Sequence, residues 1–344
     1  MNKILFLSFS LLLISGSGNA QKKHKVLAIG FYNVENLFNP ENDTTKLDDD
    51  FTPDGDYHYT YDVYHKKLHN IATVLQQLGK EVTPDGAAII GMAEVENDKV
   101  LNDLIAQPQL TARNYKYVWF PTSDVRGIST ALLYNPKYFR LLGAKTMYVP
   151  LESVAQKRPT RDVLYVQGIL EGNDSVHIMV NHWPSRGGGV QETDLYRQTA
   201  AAVVKHTVDS LLGINSNAKI LIMGDLNDNP TDASVVKVLQ AKADTANVSL
   251  TDIYNPWVKL YKNGVGTAIY KGHWNLLDQI MVSGSFLQNN NSKWKYHNYH
   301  IFRKDFLTKQ WGDEQGLPHR SFDINKKWDN GYSDHFPVVI YLEN

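Results

Sequence analysis

A carboxylate and a carboxamide stand two residues apart in the middle of the chain, in the stretch KILIMGDLNDNP. The apolar run 220–223 ends at Gly224, and Asp225 and Asn227 follow it. This pattern is typical of a buried strand whose C-terminal end presents polar side chains. Open α/β sheets place their chemistry at such strand ends, so both residues are candidates for a catalytic site.

Other polar residues close further strand-like segments. Glu94 follows the apolar run IIGMA, and Asn33 ends the apolar run near the start of the chain. A carboxylate and an amide oxygen are ligands that hard cations prefer. A helix cap or a turn residue explains the same positions equally well. Glu96 is the alternative acid, and the cation hypothesis requires Asn33 and Glu94 to lie close together in the fold.

Two of the twelve histidines stand beside strand ends. His182 lies in NHWPSRGGG, where backbone N–H groups of the glycine-rich loop and Arg186 could surround a phosphate. A flexible surface loop with a structural histidine is the alternative. His335 lies in SDHF before the last predicted strand, and Asp278 is available to fix its tautomer. Because Asp334 and His335 are adjacent and point in different directions, one of them can face a metal ion while the other faces substrate.

Two more arginines lie near these motifs. A guanidinium group binds phosphate in a bidentate manner, so Arg161 in RPTRD and Arg126 before Gly127 are predicted to contact a substrate phosphate. A structural ion pair, for example between Arg161 and Asp162, is an alternative of equal weight.

The amino-acid composition limits which metal ligands and which substrates the chain can use. The chain has 344 residues, no cysteine and a formal net charge of −1. Disulfides and thiolate ligands are therefore excluded, and a bound metal would use oxygen or imidazole donors. These donors favour Mg²⁺, with Mn²⁺ or Ca²⁺ as alternatives. Proteins that bind long nucleic acid mainly through phosphates are usually more basic, which counts against tight binding of duplex DNA.

Residues 1–20 have the pattern of an export signal. Lys3 is their only charge, the apolar centre spans 4–14, and small residues precede a predicted cleavage after Ala20. The apolar stretch is short for a membrane span and no lipid-attachment cysteine follows it, so we expect a soluble periplasmic or secreted protein without a stable membrane anchor. A retained N-terminal anchor is the alternative. Residues 21–344, which contain no repeat or flexible linker, are predicted to form one domain.

Apolar periodicity predicts the elements that would position these residues. The predicted helices cover 61–78, 192–212 and 232–239. Polar segments 39–59 and 287–328 are predicted loops over a cleft, with plain surface loops as the alternative. Strands mixed with helices favour an α/β sandwich of two sheets. The predicted strands are 26–33, 87–93, 117–120, 130–134, 163–170, 176–181, 219–223, 277–282 and 337–342.

The motifs, taken in order, resemble those of the endonuclease/exonuclease/phosphatase superfamily. This group includes DNase I-like nucleases, abasic-site endonucleases, inositol-polyphosphate 5-phosphatases and sphingomyelinases. The resemblance extends from about residue 26 to residue 342 and implies a DNase I-like four-layer α/β sandwich, in which helices flank two facing mixed β-sheets. It also implies hydrolysis of a phosphoester with a divalent metal. The matching stretches are FYNVENLF, GMAEVEN, RDVLYVQG, NHWPSR, GDLND, GHWNLLDQIMVS and YSDHFPV.

The resemblance also implies roles for individual residues. Glu94 would be the main metal ligand, with Asn33 and Asp334 beside it. Asp225 would polarise the attacking water or protonate the leaving oxygen, and its partner Asn227 would position the phosphate.

The two histidines take complementary roles in the same comparison. His182 would donate a hydrogen bond to a phosphate oxygen, and Asp278 and His335 would form an Asp–His pair. The chain departs from better-known members at Ala93, where Gln or Pro often precedes the metal-binding Glu, and at Trp183, which is not the usual pattern of abasic-site enzymes. The substrate is therefore left open.

The function expected first is an exported, monomeric, metal-dependent phosphodiesterase that acts on nucleic acid, in the manner of an endonuclease. A phosphatase or phosphodiesterase acting on inositol phosphates or phospholipid head groups is the alternative, which the near-neutral charge keeps open. A non-catalytic binding module on the same scaffold is a further alternative, and the intact set of polar residues argues against it.

Overall fold

Two mixed six-stranded sheets face each other in the computed structural model, which describes residues 25–344 except 155, 157 and 289–292. The first sheet has the strand order β13-β14-β1-β2-β4-β3 and the second has the order β5-β6-β7-β8-β12-β9, while β10 and β11 form a separate hairpin. The strands are β1 (Val26–Leu37), β2 (Ala87–Val95), β3 (Lys116–Trp119), β4 (Ser129–Tyr134), β5 (Phe139–Met147), β6 (Val163–Leu170), β7 (Asp174–His182), β8 (Lys219–Asp225), β9 (Ile253–Tyr254), β10 (Ala268–Tyr270), β11 (His273–Asn275), β12 (Asp278–Ser283), β13 (Lys295–Ile301) and β14 (Val338–Glu343).

Helices cover the outer faces of both sheets. The N-cap of α1 is Thr60, whose side chain accepts a hydrogen bond from the Val63 N–H, and the N-cap of α2 is Asn97, which does the same for Val100. None of the helices in the described part of the chain is long and apolar enough to cross a membrane. The α-helices are α1 (Tyr61–Gln77), α2 (Asp98–Ile105), α3 (Asp194–Ile214) and α4 (Val258–Lys262).

Apolar side chains define the order of the layers. Phe31 of β1 and Met223 of β8 belong to the buried cluster between the two sheets. Leu68 of α1 packs with the outer face of the first sheet, and Val204 of α3 packs with the outer face of the second. Each large apolar side chain that is fully buried in this way stabilises the fold by roughly 1.5–3 kcal/mol. The predicted four-layer α/β sandwich of DNase I-like type is therefore confirmed.

The strand register brings predicted site residues of the second sheet to one level. His182 lies opposite Asp225 in the parallel pair β7–β8, and Asp225 lies opposite Asp278 in the antiparallel pair β8–β12. Residues opposite each other in adjacent strands present their side chains on the same face. A Cβ atom at Gly224 would lie 2.3 Å from the carbonyl oxygen of Asn181, so only glycine allows β7 and β8 to approach this closely before Asp225.

Two predictions of local structure were wrong. Segment 232–239 forms only a π-helical turn, Ser234–Val238, in which Ser234 donates to Asp228, while Asp232 before it accepts from Arg186. Segment 287–328 is not a continuous loop, because β13 pairs with β14 at the edge of the first sheet. Each of the predicted strands is present, with bounds that differ by at most four residues. The predicted export signal lies outside the described residues.

Candidate active site

An Asp–His pair lies at the end of the second sheet. The Nδ1 atom of His335 is 2.7 Å from Oδ2 of Asp278, whose side chain is completely buried. Thr267 holds both partners, since its hydroxyl accepts the Asp278 N–H and its carbonyl accepts the Phe336 N–H. Ser333 donates to the Asn33 carbonyl oxygen at 2.7 Å, which ties the turn before β14 to the end of β1.

The electrostatics of this pair favour a charged imidazole. Burial opposes the charged form of His335, but the carboxylates of Asp278 and Asp225 outweigh it, so the pKa of His335 lies well above its ordinary value. Asp278 thus fixes the orientation of the ring and stabilises its positive charge.

Asp225 lies at the centre of the site. Its Oδ2 atom accepts a hydrogen bond from Asn33 Nδ2 at 3.0 Å and lies 3.7 Å from Nε2 of His182 and 3.9 Å from Nε2 of His335. Burial raises the pKa of Asp225 to about 6, against the lowering effect of His335. A carboxyl group with this pKa can exchange protons near neutral pH.

Asn227 fixes the turn that follows Asp225. Its backbone N–H donates to Asp225 Oδ1 at 2.9 Å, and its side-chain amide donates to the Trp183 carbonyl oxygen at 3.0 Å. Its φ of +49° lies in the left-handed region, which asparagine tolerates better than most residues. Asn227 therefore orients the carboxylate of Asp225.

His182 faces the same centre in a different protonation state. It is buried, and its Nε2 atom lies 3.7 Å from Glu94 Oε1, while its Nδ1 atom has no hydrogen-bond partner among the described residues. Burial and the nearby Arg161 and Arg126 hold the pKa of His182 well below its ordinary value. The neutral ring can donate one hydrogen bond to a substrate oxygen without adding charge.

Glu94 projects into the site from a bulge in β2. Its φ is +66°, and the pairing of β2 with β4 shifts register between Ala93 and Val95. A non-glycine residue in this conformation costs about 1–3 kcal/mol, which the surrounding structure must offset. The bulge redirects the Glu94 carboxylate, and the Asn36 N–H donates to its Oε2 atom at 2.8 Å. Oε1 remains directed toward His182 and Asn33.

Asn33 connects the two sheets through its amide group. Its Nδ2 atom donates to Asp225 and lies 3.4 Å from Glu94 Oε1, while its Oδ1 atom accepts the Glu35 N–H at 3.0 Å. The nitrogen therefore faces the carboxylates. As an oxygen ligand for a cation at Glu94, Asn33 would need the amide turned by 180°.

A buried charge network supports Asp334. Lys67 of α1 is completely buried, donates to Ser321 Oγ at 2.6 Å and interacts electrostatically with Glu35, Asp334 and Glu94. Burial raises the pKa of Glu35 to about 7, and burial lowers the pKa of Lys67. The positive charge of Lys67 therefore acts on Glu35, Asp334 and Glu94.

The predicted arginines differ in how their donors are used. Arg161 is buried and donates to Asp124 Oδ2 at 3.1 Å and to the Trp183 carbonyl oxygen at 2.8 Å. Arg186 donates to the Asn227 carbonyl oxygen, to Asn275 and to Asp232. These two guanidinium groups are held by the protein.

Arg126 is the more accessible of the predicted arginines. Its side chain is 43% exposed and lies 3.7 Å from Asp124 Oδ1. Its charge also contributes to the lowered pKa of His182, which places it beside the site. Of the three arginines predicted from the sequence, Arg126 is the one with donors open to a substrate.

Glu96, the alternative acid, has a structural role. Its Oε2 atom accepts the backbone N–H of Asn39 at 2.6 Å and the side-chain amide of the same residue at 2.9 Å. Burial raises the pKa of Glu96 to about 7. Glu96 holds the start of segment 39–59, and Glu94 is the acid that faces Asp225 and His182.

A model of the Endonuclease/Exonuclease/phosphatase family matches residues 28–344. The chain belongs to this family. Humanized D. rerio TDP2 has a similar structure, with a TM-score of 0.55, 14% sequence identity and coverage of 93% of this chain and 99% of that one. An endonuclease/exonuclease/phosphatase family protein from Bacteroides thetaiotaomicron superposes with a TM-score of 0.54, 15% identity and coverage of 93% and 96%.

Truncated Caenorhabditis elegans TDP2 is similar to the same extent, with a TM-score of 0.53, 15% identity and coverage of 93% and 98%. At this level of identity the structural likeness establishes the fold. No curated protein sequence matches the chain.

Divalent metals are common in the family, and one group of described residues has ligand atoms close enough together to hold one. Ligand atoms of Asp225, Asp278 and His335 lie within 4.8 Å of one another. Glu94 and Asp334 are the metal ligands predicted from the sequence, and both interact electrostatically with Lys67. Both sets of residues offer oxygen or imidazole donors for a hard cation. In the set with Asp225, His335 is engaged with Asp278, and its raised pKa disfavours the neutral form that binds metal.

The sequence motifs did not identify two basic residues near the candidate site, Lys67 and Arg320. Lys67 lies three residues after Tyr64 and four before Ile71, so it falls on the apolar face of α1, and that position was a signal of burial. Arg320 lies next to Asp334, 3.7 Å between NH2 and Oδ2, but stands in an irregular segment with no pattern to single it out.

Proposed function

We propose that this protein is a divalent-metal-dependent phosphoesterase that hydrolyses phosphodiester bonds, with nucleic acid as its substrate. The observation that carries the proposal is that neutral His182 and charged His335 converge on Asp225, whose pKa is raised, and that the Glu94 carboxylate lies next to His182. Membership of the family supports the same chemistry.

We assign the metal to Glu94, with Asp334 and, after rotation of its amide, Asn33. A divalent ion bound there would supply Lewis-acid stabilisation of charge on the phosphate. With the metal at Glu94, Asp225 remains available to transfer a proton and His335 remains available to stabilise negative charge. The donor set favours Mg²⁺, with Mn²⁺ or Ca²⁺ as alternatives.

The residues of this chain then have distinct tasks. Asp225, held by Asn227 and Asn33, takes a proton from the attacking water or gives one to the leaving oxygen. Neutral His182 donates a hydrogen bond to a phosphate oxygen, and charged His335 stabilises negative charge that develops there. General acid–base assistance of this kind contributes about 10²–10⁴-fold to the rate.

Nucleic acid is favoured as substrate by one structural neighbour. A crystal structure of D. rerio TDP2 is of a complex with single-strand DNA product, at 14% identity to this chain. The net charge of −1 favours short or single strands over tight binding of long duplexes. The same near-neutral charge supports the second candidate, a phosphatase or phosphodiesterase acting on inositol phosphates or phospholipid head groups.

We also propose that the protein is exported as a monomer after cleavage near Ala20. The support is the sequence pattern of residues 1–20. Mass spectrometry of the N-terminus of the mature protein tests the cleavage, and an intact N-terminus would contradict it.

A panel of substrates tests the proposed function. Purified protein with Mg²⁺ or Mn²⁺ is assayed on plasmid DNA, RNA, single-stranded oligonucleotides, inositol phosphates and sphingomyelin. We expect metal-dependent hydrolysis of the nucleic acids, fastest for single strands. Hydrolysis confined to inositol phosphates or sphingomyelin would replace nucleic acid as the substrate. No hydrolysis of any phosphoester would indicate a binding module.

A further inference from the structure

A second basic group stands beside the proposed metal site. Building on the proposed phosphoesterase function, we infer that Arg320 binds a phosphate group of the substrate, and that the cavity next to Arg320 receives the organic group attached to that phosphate. Arg320 would then be a binding and specificity residue of this chain.

The guanidinium group of Arg320 has N–H donors that are not engaged in hydrogen bonds with the described part of the chain. Its side chain is 37% exposed and makes no hydrogen bond within the described part of the chain. The nearest carboxylates are Asp334 Oδ2 at 3.7 Å and Glu35 Oε1 at 4.0 Å, both beyond hydrogen-bond distance. Its Nε atom is buried without an acceptor. The exposed part of the guanidinium group can donate charge-assisted hydrogen bonds to a phosphate oxygen.

Three other arginines near the site donate more of their hydrogen bonds to the protein than Arg320 does. Arg161 and Arg186 donate to protein acceptors from at least two of their nitrogens. Arg197 is fully buried and bound to Asp228 at 2.6 Å. Arg320 also lies beside Asp334, so a phosphate that reached the proposed metal would come within its range.

The cavity next to Arg320 has the size and walls for a small organic group. Its volume is about 360 Å³, and Asp334 and Arg320 both line it. Phe51, Tyr57 and Phe322 form the aromatic wall, with Tyr57 stacked on Phe51 at 4.4 Å and edge-on to Phe322 at 4.9 Å. Ligand pockets measure roughly 300–1,000 Å³, so this cavity suits one nucleoside-sized group.

The aromatic wall of the cavity contains residues from both of the polar segments singled out in the sequence. Phe51 and Tyr57 belong to segment 39–59, and Phe322 belongs to segment 287–328. Ile324, whose exposed fraction is 80%, also lines the cavity and offers apolar surface to a base or sugar ring. The two segments predicted to cover a cleft therefore build one wall together.

Charge balance decides whether an anion can enter. Glu35, Asp323 and Asp334 line the cavity and would repel a phosphate if their charges were unopposed. The buried Lys67 interacts electrostatically with Glu35 and Asp334 and opposes part of their charge. Lys326 lies at the cavity wall, 5.2 Å from the centre of the Tyr57 ring, and is paired with Asp56. Arg320 adds the positive charge that directly faces the cavity.

Binding of thymidine 5′-monophosphate, measured by calorimetry with EDTA present, tests the inference apart from catalysis. We expect Arg320→Gln to weaken binding by about 10–100-fold, the range for loss of charge-assisted hydrogen bonds. Arg320→Lys should restore part of the affinity, since an ammonium group supplies charge without the bidentate geometry. Wild-type protein should bind the nucleotide more tightly than inorganic phosphate, because the nucleoside fills the cavity.

Arg140→Gln is the matched control. Arg140 is exposed on β5, whose first residues pair with the end of β6 opposite to the site, so this variant should bind like the wild type. Equal affinity of Arg320→Gln and wild type for the nucleotide would overturn the role of Arg320. Equal affinity of wild type for nucleotide and phosphate would overturn the role of the cavity.

Kinetics separate this inference from the proposed function. With Mg²⁺ and thymidine 5′-p-nitrophenyl phosphate, Arg320→Gln should raise KM by about 10-fold or more with a smaller change in kcat. An active wild type with an unaffected Arg320→Gln variant would overturn the inference alone. An inactive wild type that still loses nucleotide binding in Arg320→Gln would overturn the proposed function alone.

Discussion

His335 Nδ1 lies 2.7 Å from Asp278 Oδ2, although 57 positions separate the two residues in the chain. Asp278 is completely buried, and its Oδ1 atom has no hydrogen-bond partner among the described residues. Its charge is therefore directed at the imidazole, and the pair works as one unit.

Asp278→Asn should lower kcat on bis-p-nitrophenyl phosphate by at least about 10²-fold, because an amide keeps the shape but removes the charge that stabilises the imidazolium. Titration calorimetry with Mn²⁺ is the companion measurement. Unchanged metal affinity together with the loss of kcat supports the role of the pair. A loss of metal affinity with normal kcat at saturating metal would instead make Asp278 a ligand.

Glu94 and Glu96 form a matched pair of acids two residues apart with different expected effects. Glu94→Gln should weaken Mn²⁺ binding by about 10–100-fold or more, since even the residues that orient metal ligands have effects of that size. Glu96→Gln should leave metal affinity unchanged and lower Tm, because Glu96 holds Asn39. Equal loss of metal binding in both variants would contradict the assignment of the metal to Glu94.

Arg161 is expected to stabilise the folded protein through its buried ion pair with Asp124. Arg161→Gln removes the buried charged partner of Asp124 Oδ2, and breaking such a buried pair costs about 3–5 kcal/mol. Urea unfolding measures the loss. Arg126→Gln is the control, because the 43% exposed Arg126 should change stability by less than about 0.5 kcal/mol. A normal unfolding midpoint with a raised KM would show that Arg161 binds substrate instead.

The sequence predicts the fold of this chain better than it predicts the use of charged side chains. Long apolar runs such as those in β1 and β8 predict buried strands. β5 was missed because it is an edge strand with mostly exposed residues and no regular alternation. The partners of Arg161 and Arg186 could not be inferred either, since Asp124 and Asn275 lie 37 and 89 positions away.

The candidate site was predictable where a residue type and a strand end coincide. Asp225 and His182 met this condition, and the register of β7 and β8 places them opposite each other. The backbone bulge at Glu94 was not predictable, because its φ of +66° depends on pairing with two neighbouring strands. The orientation of the Asn33 amide likewise depends on Asp225, which lies 192 positions away.

Lys219 should make stability depend on pH. It is buried at the start of β8, 3.6 Å from Asp174 and 4.0 Å from the centre of the Phe286 ring. Burial lowers the pKa of Lys219 to about 8, from an ordinary value of 10.5. Between these values the unfolded chain binds more protons than the folded protein, so the contribution of Lys219 to the free energy of unfolding becomes more favourable as pH rises.

Urea unfolding of wild type and Lys219→Met from pH 7 to pH 10 measures this contribution. We expect the stability of the wild type relative to the variant to increase from about pH 8 upward. The comparison removes the effect of tyrosines and other groups that titrate in both proteins. A difference that stays constant over this range would contradict a lowered pKa of Lys219.

The central claim is that Asp225 and His335 hydrolyse phosphodiesters with the help of a divalent metal. The most direct measurement is the rate of bis-p-nitrophenyl phosphate hydrolysis by wild type, Asp225→Asn and His335→Ala, each with Mg²⁺ and again after EDTA. We predict that EDTA abolishes wild-type activity, that fresh Mg²⁺ restores it, and that each variant loses at least about 10²-fold. Full activity in EDTA, or variants as fast as wild type, would contradict the claim.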